Sequence, residues 1–248
     1  TSAVFFTGEA LKKDDVTVVI LGDMHSSSFT NTQKQREALQ IIARSAVEKG
    51  YSPFFIFEDS ITYSGTDINI KFNIARKRDE AILNILWGVS GICKQENIPY
   101  VSAECRYELT NRTAHIKENR KTIESLKKCN NNQIFQKYLN DAIAEHDFYI
   151  KSQSEDPATI FLNSVRSSIK LLNLNVICEL SKAMQTNKHK LFVIGVGASH
   201  IQHISEMLQN IFNFKTVLQK NPLRVEQILP NLGAPLQQQS IHNKIVKI

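Results

Sequence analysis

No Cys-x-x-Cys pair occurs in this chain. Its four cysteines, Cys93, Cys105, Cys129 and Cys178, stand far apart, which argues against a zinc ribbon and a thioredoxin-type redox motif. Sparse, unpatterned cysteines fit a reducing compartment, and their even number leaves disulfides open. No apolar run approaches the ~20 residues of a membrane-spanning helix. The opening residues from Thr1 lack the charged-then-apolar plan of a secretory leader. Internal repeats and low-complexity tracts are missing as well. A charge excess is also scarce: the net charge is +6 over 248 residues, and Lys and Arg alternate with acids, as in residues 117–128 (KENRKTIESLKK). Such mixing makes a solvated helix face rather than a nucleic-acid patch. The expectation is a protein without a nucleic-acid partner or transmembrane segment, cytoplasmic or secreted as an effector or toxin domain.

What is present is an alternation of short apolar runs with helical periodicity. Residues 16–21 (VTVVIL), 54–57 (FFIF), 100–103 (YVSA) and 191–194 (LFVI) have the length and apolar character of buried strands. Helical spacing predicts helices over 32–48, 74–96 and 201–212. The stretch 111–188 is helical throughout, with breaks at 130–132 (NNN) and at Asp156-Pro157. Residues 214–218 and 245–246 are weaker strand candidates. Strands alternating with helices predict one α/β domain over 1–248, with a mainly parallel central sheet flanked by helices. The 111–188 block exceeds an ordinary crossover, so it is expected as a helical insertion or lid between the third and last core strands.

Two loop motifs follow strands at opposite ends of the chain: Gly22-Asp23-Met24-His25 and Gly195-Val196-Gly197-Ala198-Ser199-His200. Two further strands end in Glu58-Asp59 and Glu104-Cys105-Arg106. In an open parallel sheet, chemistry collects at the strand C-termini, so these residues converge on one rim. Two imidazoles and a carboxylate can hold a divalent cation with positions open for water or substrate. Without metal, a histidine beside a carboxylate can act as a general base. An arginine can steady an oxyanion.

The ordered set resembles a known clan. Gly22-Asp23-Met24-His25 is similar to the Gly-acid-x-His opening of the clan that groups erythromycin esterases, ChaN-like proteins and the Tiki/TraB family. Phe55-Ile56-Phe57-Glu58 resembles its second strand with a terminal glutamate, and residues 193–200 (VIGVGASH) its closing strand and Gly-x-x-His turn. The resemblance implies an α/β fold with one site built from His25, Glu58 and His200 as catalytic and metal-ligating residues. Asp23 would orient His25 or hold water, and Arg106 would stabilise developing negative charge. It implies a hydrolase of an ester or amide bond, acting on a small-molecule or peptide substrate with a divalent metal cation. The alternative is a non-catalytic haem or small-ligand binder, or a silent domain of a bacterial toxin or effector. Many members carry an Arg-Asn pair before the final strand. Leu174-Asn175 is its nearest counterpart here, with Arg106 or Arg166 as substitutes for the arginine.

Other signals rank lower. Gly195-x-Gly lacks the third glycine of a dinucleotide loop. Ser167-Ser168-Ile169-Lys170 matches Ser-x-x-Lys without its companion motifs. His203 is expected beside His200 as a surface or supporting residue. Glu145-His146-Asp147 is expected on a solvated helix face. Asn111-Arg112-Thr113 fits the glycosylation triplet, a pattern common by chance.

Overall fold

The structure, a computed structural model, describes residues 4–5, 7–23, 29–58, 89–106, 112–152, 156–220 and 223–228. His25, Asp59, Asn111, most of the 74–96 helix and the 245–246 strand candidate lie outside these residues. Eight strands and seven α-helices are present among the described residues: β1 (Val4–Phe5), β2 (Thr7–Lys13), β3 (Val16–Asp23), α1 (Phe29–Glu48), β4 (Pro53–Phe57), α2 (Val89–Gln95), β5 (Tyr100–Ser102), α3 (Arg112–Lys127), α4 (Gln133–Lys151), α5 (Pro157–Gln185), β6 (Leu191–Gly197), α6 (Ile201–Phe212), β7 (Lys215–Lys220), β8 (Leu223–Arg224) and α7 (Val225–Ile228).

Six strands form one sheet in the order β5-β4-β6-β3-β2-β7. β5, β4, β6 and β3 run parallel, as strand–helix alternation requires. β2 pairs antiparallel with both β3 and β7. The sheet is therefore mixed, which corrects the expectation of a mainly parallel one. The cause is a hairpin: Asp14 takes a left-handed φ of 52°, turning β2 directly into β3, so no crossover helix intervenes. β2 carries Glu9, buried against Ser205 and 2.8 Å from Gln219 Nε2. The alternation of buried and exposed residues that marks a half-solvated strand is lost when a charged side chain occupies an inward position.

Side chains of successive strand residues point to opposite faces, and each face is covered. Val19, Leu21, Phe55, Phe57 and Val193 pack with Ala38, Leu39, Ile42 and Ala46 of α1. Val18, Ile20, Ile56, Phe192 and Ile194 pack with Leu172 and Val176 of α5 and Ile204 and Leu208 of α6. β6 is buried along its whole length, consistent with its central place. α3 and α4 pack against α5, and their Ile123, Leu126, Phe135 and Leu139 join the same core.

Local sequence accounts for the helix ends. Asn132 accepts hydrogen bonds from the backbone N–H of Ile134 and Phe135 and so caps α4. Asp156 does the same for α5 through Thr159, with Pro157 opening the helix. These are the two breaks expected at 130–132 and 156–157. Cys129, just past α3, is disulfide-bonded to Cys178 in α5 across 49 residues, a closure worth about 4 kcal/mol in the chain-entropy account. Cys93 and Cys105 are buried free thiols.

A polar cluster is buried where α3, α4 and α5 meet. His115 Nε2 lies 3.2 Å from Ser167 Oγ and 3.1 Å from Asn119 Nδ2, which also reaches His146 Nδ1 at 3.3 Å. The Tyr149 and Ser164 hydroxyls are 2.9 Å apart. Glu145 and Asp147 face solvent as expected, but His146 is 2 % exposed, because its helical position points inward. Burial pushes the His146 imidazole below its ordinary 6.5; Asp147 opposes that shift, while His115 and Arg120 add to it.

Two tests follow from this packing. Denatured without reductant, the chain should expose two reactive thiols, Cys93 and Cys105, and reduction should reveal the other pair. An imidazole with a depressed folded pKa contributes full stability above the unfolded value of about 6.5 and loses it as pH falls through that value. The urea midpoint should therefore drop between about pH 7.5 and about pH 5.5, and His146→Leu should flatten the slope.

Candidate functional site at the strand C-termini

β4, β5 and β6 end side by side, and the residues just past them are pinned by backbone bonds. Glu58 N–H donates to Gly195 O at 2.9 Å, and Ala103 N–H to Phe57 O at 2.9 Å. These bonds carry the sheet one step beyond the strands and aim Glu58 across the end of β6. After Gly197, a single 3-10 turn, Ala198–His200, leads into α6 and brings the His200 ring back over the sheet end.

The side chain of Glu58 is almost fully buried, at 2 % exposure. Its Oε2 accepts from Gly197 N–H at 2.7 Å, and its Oε1 accepts from Arg106 Nη2. Arg106 is held in turn by Glu104, through Nη2 to Oε2 at 2.7 Å and Nε to Oε1 at 2.9 Å. Burial pushes the Glu58 carboxyl up, but Arg106, His200 and the Gly197 N–H outweigh it and hold the group below its ordinary range. Glu58 is thus ionised in a nearly dry setting. Among the described residues, two carboxylates, Glu58 and Glu104, meet the one guanidinium of Arg106.

His200 is 3 % exposed. Its Nδ1 lies 2.7 Å from Asn173 Oδ1. An imidazole nitrogen facing a carboxamide oxygen carries the proton, so the lone pair sits on Nε2. That Nε2 faces Glu58 Oε2 at 3.8 Å. Burial first, and then Arg106 and His203, lower the His200 pKa; Glu58 and Glu104 oppose the shift. The neutral ring therefore prevails at neutral pH. Two proton acceptors converge, too far apart to share a hydrogen bond and without a described donor between them.

The glycines of the two motifs differ in how tightly they are packed: a Cβ is crowded at Gly22 and makes ordinary contact with the site at Gly197. A Cβ at Gly197 would come within 3.5 Å of Glu58 Oε2 and 3.4 Å of His200 Cδ2. A Cβ at Gly22 would run into the Ile201 side chain and lie 3.1 Å from Ala198 Cα. Gly22 is opposite Val196, and Asp23 opposite Gly197, in the parallel register. The motifs at the two chain ends thus leave the sheet side by side.

Of the expected site residues, Glu58, Arg106 and His200 come together. Asp23 ends β3 beside Gly197; its side chain, like the whole of His25, lies outside what is described. Arg106 holds Glu58 and Glu104, while Arg166 is exposed on α5 and lines a separate groove. Asn175 donates to Ala103 O at 3.0 Å. Asn173, two residues earlier, is the partner of His200, and it was missed. Residues 171–175 (LLNLN) offer two asparagines on different helix faces, and their order alone does not say which faces the sheet end. Glu104, expected on this rim as a strand-end residue, is the second carboxylate that holds Arg106. Among the described residues, no group of three or more His, Cys, Asp or Glu side chains is arranged to hold a metal ion, and no helix is long and apolar enough to cross a membrane.

The class defined by these features is a three-layer α/β protein with a buried carboxylate–imidazole pair at its strand C-termini. The chain matches no protein-family model, and no curated protein is significantly similar to it.

The tautomer is directly measurable. Imidazole nitrogen-15 spectra at neutral pH should show His200 protonated at Nδ1 and bare at Nε2. Replacing Asn173 by leucine should remove that preference. A wild-type ring protonated at Nε2 would contradict the arrangement.

Proposed function

We propose that the protein is a hydrolase of ester or amide bonds, with a site of the kind that the resemblance to the erythromycin-esterase, ChaN-like and Tiki/TraB clan implies. The observation that carries this reading is the facing pair of acceptors, His200 Nε2 and Glu58 Oε2, 3.8 Å apart in a buried cluster. Such a pair needs a hydrogen-bond donor or a cation between its members. A water molecule there would donate to both. His200 Nε2 then takes the proton as the water oxygen attacks the substrate carbonyl, and returns it to the departing alkoxide or amine. Asn173 keeps the ring in the productive tautomer, as hydrogen-bonded partners of catalytic histidines do. Arg106 reaches Glu58 and Glu104 through Nε and Nη2. Its Nη1, without a hydrogen bond to a described residue, is the donor for negative charge on the carbonyl oxygen.

The same two acceptors fit a divalent cation as two of its donors, and His25 is the expected third. Such a cation, when bound, supplies Lewis acidity and a more acidic water. The lone pair on Nε2 and the ionised Glu58 are the forms a metal requires, and the Asn173 bond at Nδ1 is the support a ligating histidine needs.

The test is turnover of a panel of nitrophenyl esters and short peptides, with and without added zinc or manganese and with chelator. Glu58→Gln and His200→Gln should each lower activity by at least about a hundredfold without loss of fold. Asn173→Leu should lower it about tenfold or more and displace its pH profile. Full activity in both Glu58→Gln and His200→Gln, or no turnover of any ester or amide, would overturn the hydrolase. A Soret band in the purified protein would put the haem binder in its place.

A further inference from the structure

A groove of about 490 Å³ runs between α4, α5 and α6. Such a volume suits a small-molecule ligand. Tyr138, Phe148, Tyr149, Ile169 and Met207 form its apolar walls, and Phe148 is 75 % exposed at the rim. The Phe148 ring extends the apolar wall of the groove out to its rim.

The charges of the groove are ordered along its length. α4 and α5 run antiparallel: Glu145 pairs with Lys170 at 2.7 Å across them, and Tyr149, further along α4, meets Ser164, earlier in α5. Asp141 lies one helical turn from Glu145 toward the start of α4. Arg166 lies one turn from Lys170 toward the start of α5. Because the helices are antiparallel, these steps go in opposite directions from the central pair. Asp141 and Arg166 therefore occupy opposite ends, ~12 Å apart along the axis. Both line the groove, and neither has an ion-pair partner among the described residues.

One free carboxylate and one free guanidinium, set ~12 Å apart on an apolar-walled groove, match the two charged ends of an extended zwitterion. We propose that this groove binds a short peptide with free termini, about three residues long at ~3.4 Å per residue. Its amino terminus lies at Asp141, its carboxylate at Arg166, and an aromatic last side chain against Phe148 and Tyr149. Asn173 also lines the groove, three residues beyond Lys170 on the side away from Arg166, so the first residue of the peptide is on the side of the asparagine that holds His200. The proposal is independent of the hydrolase reading.

The test is calorimetric titration of the whole chain with the tripeptide Ala-Ala-Phe and with its N-acetylated and C-amidated forms. Asp141 and Arg166 are exposed, so Asp141→Asn and Arg166→Gln leave the fold intact. The free tripeptide should bind one equivalent with a Kd below about 1 mM. Amidation should weaken wild-type binding about tenfold and leave Arg166→Gln unaffected. Acetylation should do the same in wild type and leave Asp141→Asn unaffected. Absence of saturable binding, equal binding of the blocked peptides, or blocking penalties that persist in the matching variant would each overturn the proposal. Chromatography of the peptide recovered after titration separates heat of binding from heat of hydrolysis, so failure to bind would be distinct from failure of the hydrolase.

Discussion

The parallel seating of β6 between β3 and β4 is the constraint on which the rest of the molecule depends. β6 arrives from a helical block more than seventy residues long, yet it pairs in register with strands from the first quarter of the chain. Every residue of it is buried, so a slip of one position would turn Phe192 and Ile194 from the α5–α6 core toward α1. The register also sets the chemistry. It holds Gly195 O against Glu58 N–H and Gly197 N–H against the Glu58 carboxylate. Apolar packing thus locates a polar site to within a hydrogen bond.

At that site burial and pairing act on the charged groups in opposite senses. A buried carboxylate is costly unless it is paired, and Glu58 is stabilised by a guanidinium and a backbone donor. The same pairing keeps it ionised and therefore able only to accept. His200 is neutral for the complementary reason: burial disfavours its cation, and Asn173 fixes where its remaining proton sits. Neither group can satisfy the other. Each of the two acceptors has its own outer partner, and among the described residues neither has an inner one.

Much of this was legible in the order of residues. The four parallel strands, the boundaries of the helical block and the convergence of Glu58, Arg106 and His200 follow from apolar run length, capping residues and strand-end placement. β2 was not legible, because residues 7–13 (TGEALKK) carry a buried glutamate satisfied by distant Ser205 and Gln219. The inward turn of His146 escaped for a similar reason. Its neighbours in sequence are acids, whereas its neighbours in space, His115 and Asn119, come from another helix. Asn173 and Asn175 show the limit most sharply. Which of two like residues meets His200 is decided by the rotation of α5 on the sheet, a property of the packed whole.

The disulfide between Cys129 and Cys178 gives the chain a covalent topology different from its linear order. It encloses all of α4 and most of α5 in one ring. A single peptide-bond cut anywhere within that ring opens the loop but divides nothing. The strands before it and β6 after it stay in one molecule until the sulfur bridge is reduced. The segment between the two breaks can therefore be nicked without separating the residues that build the strand-end site.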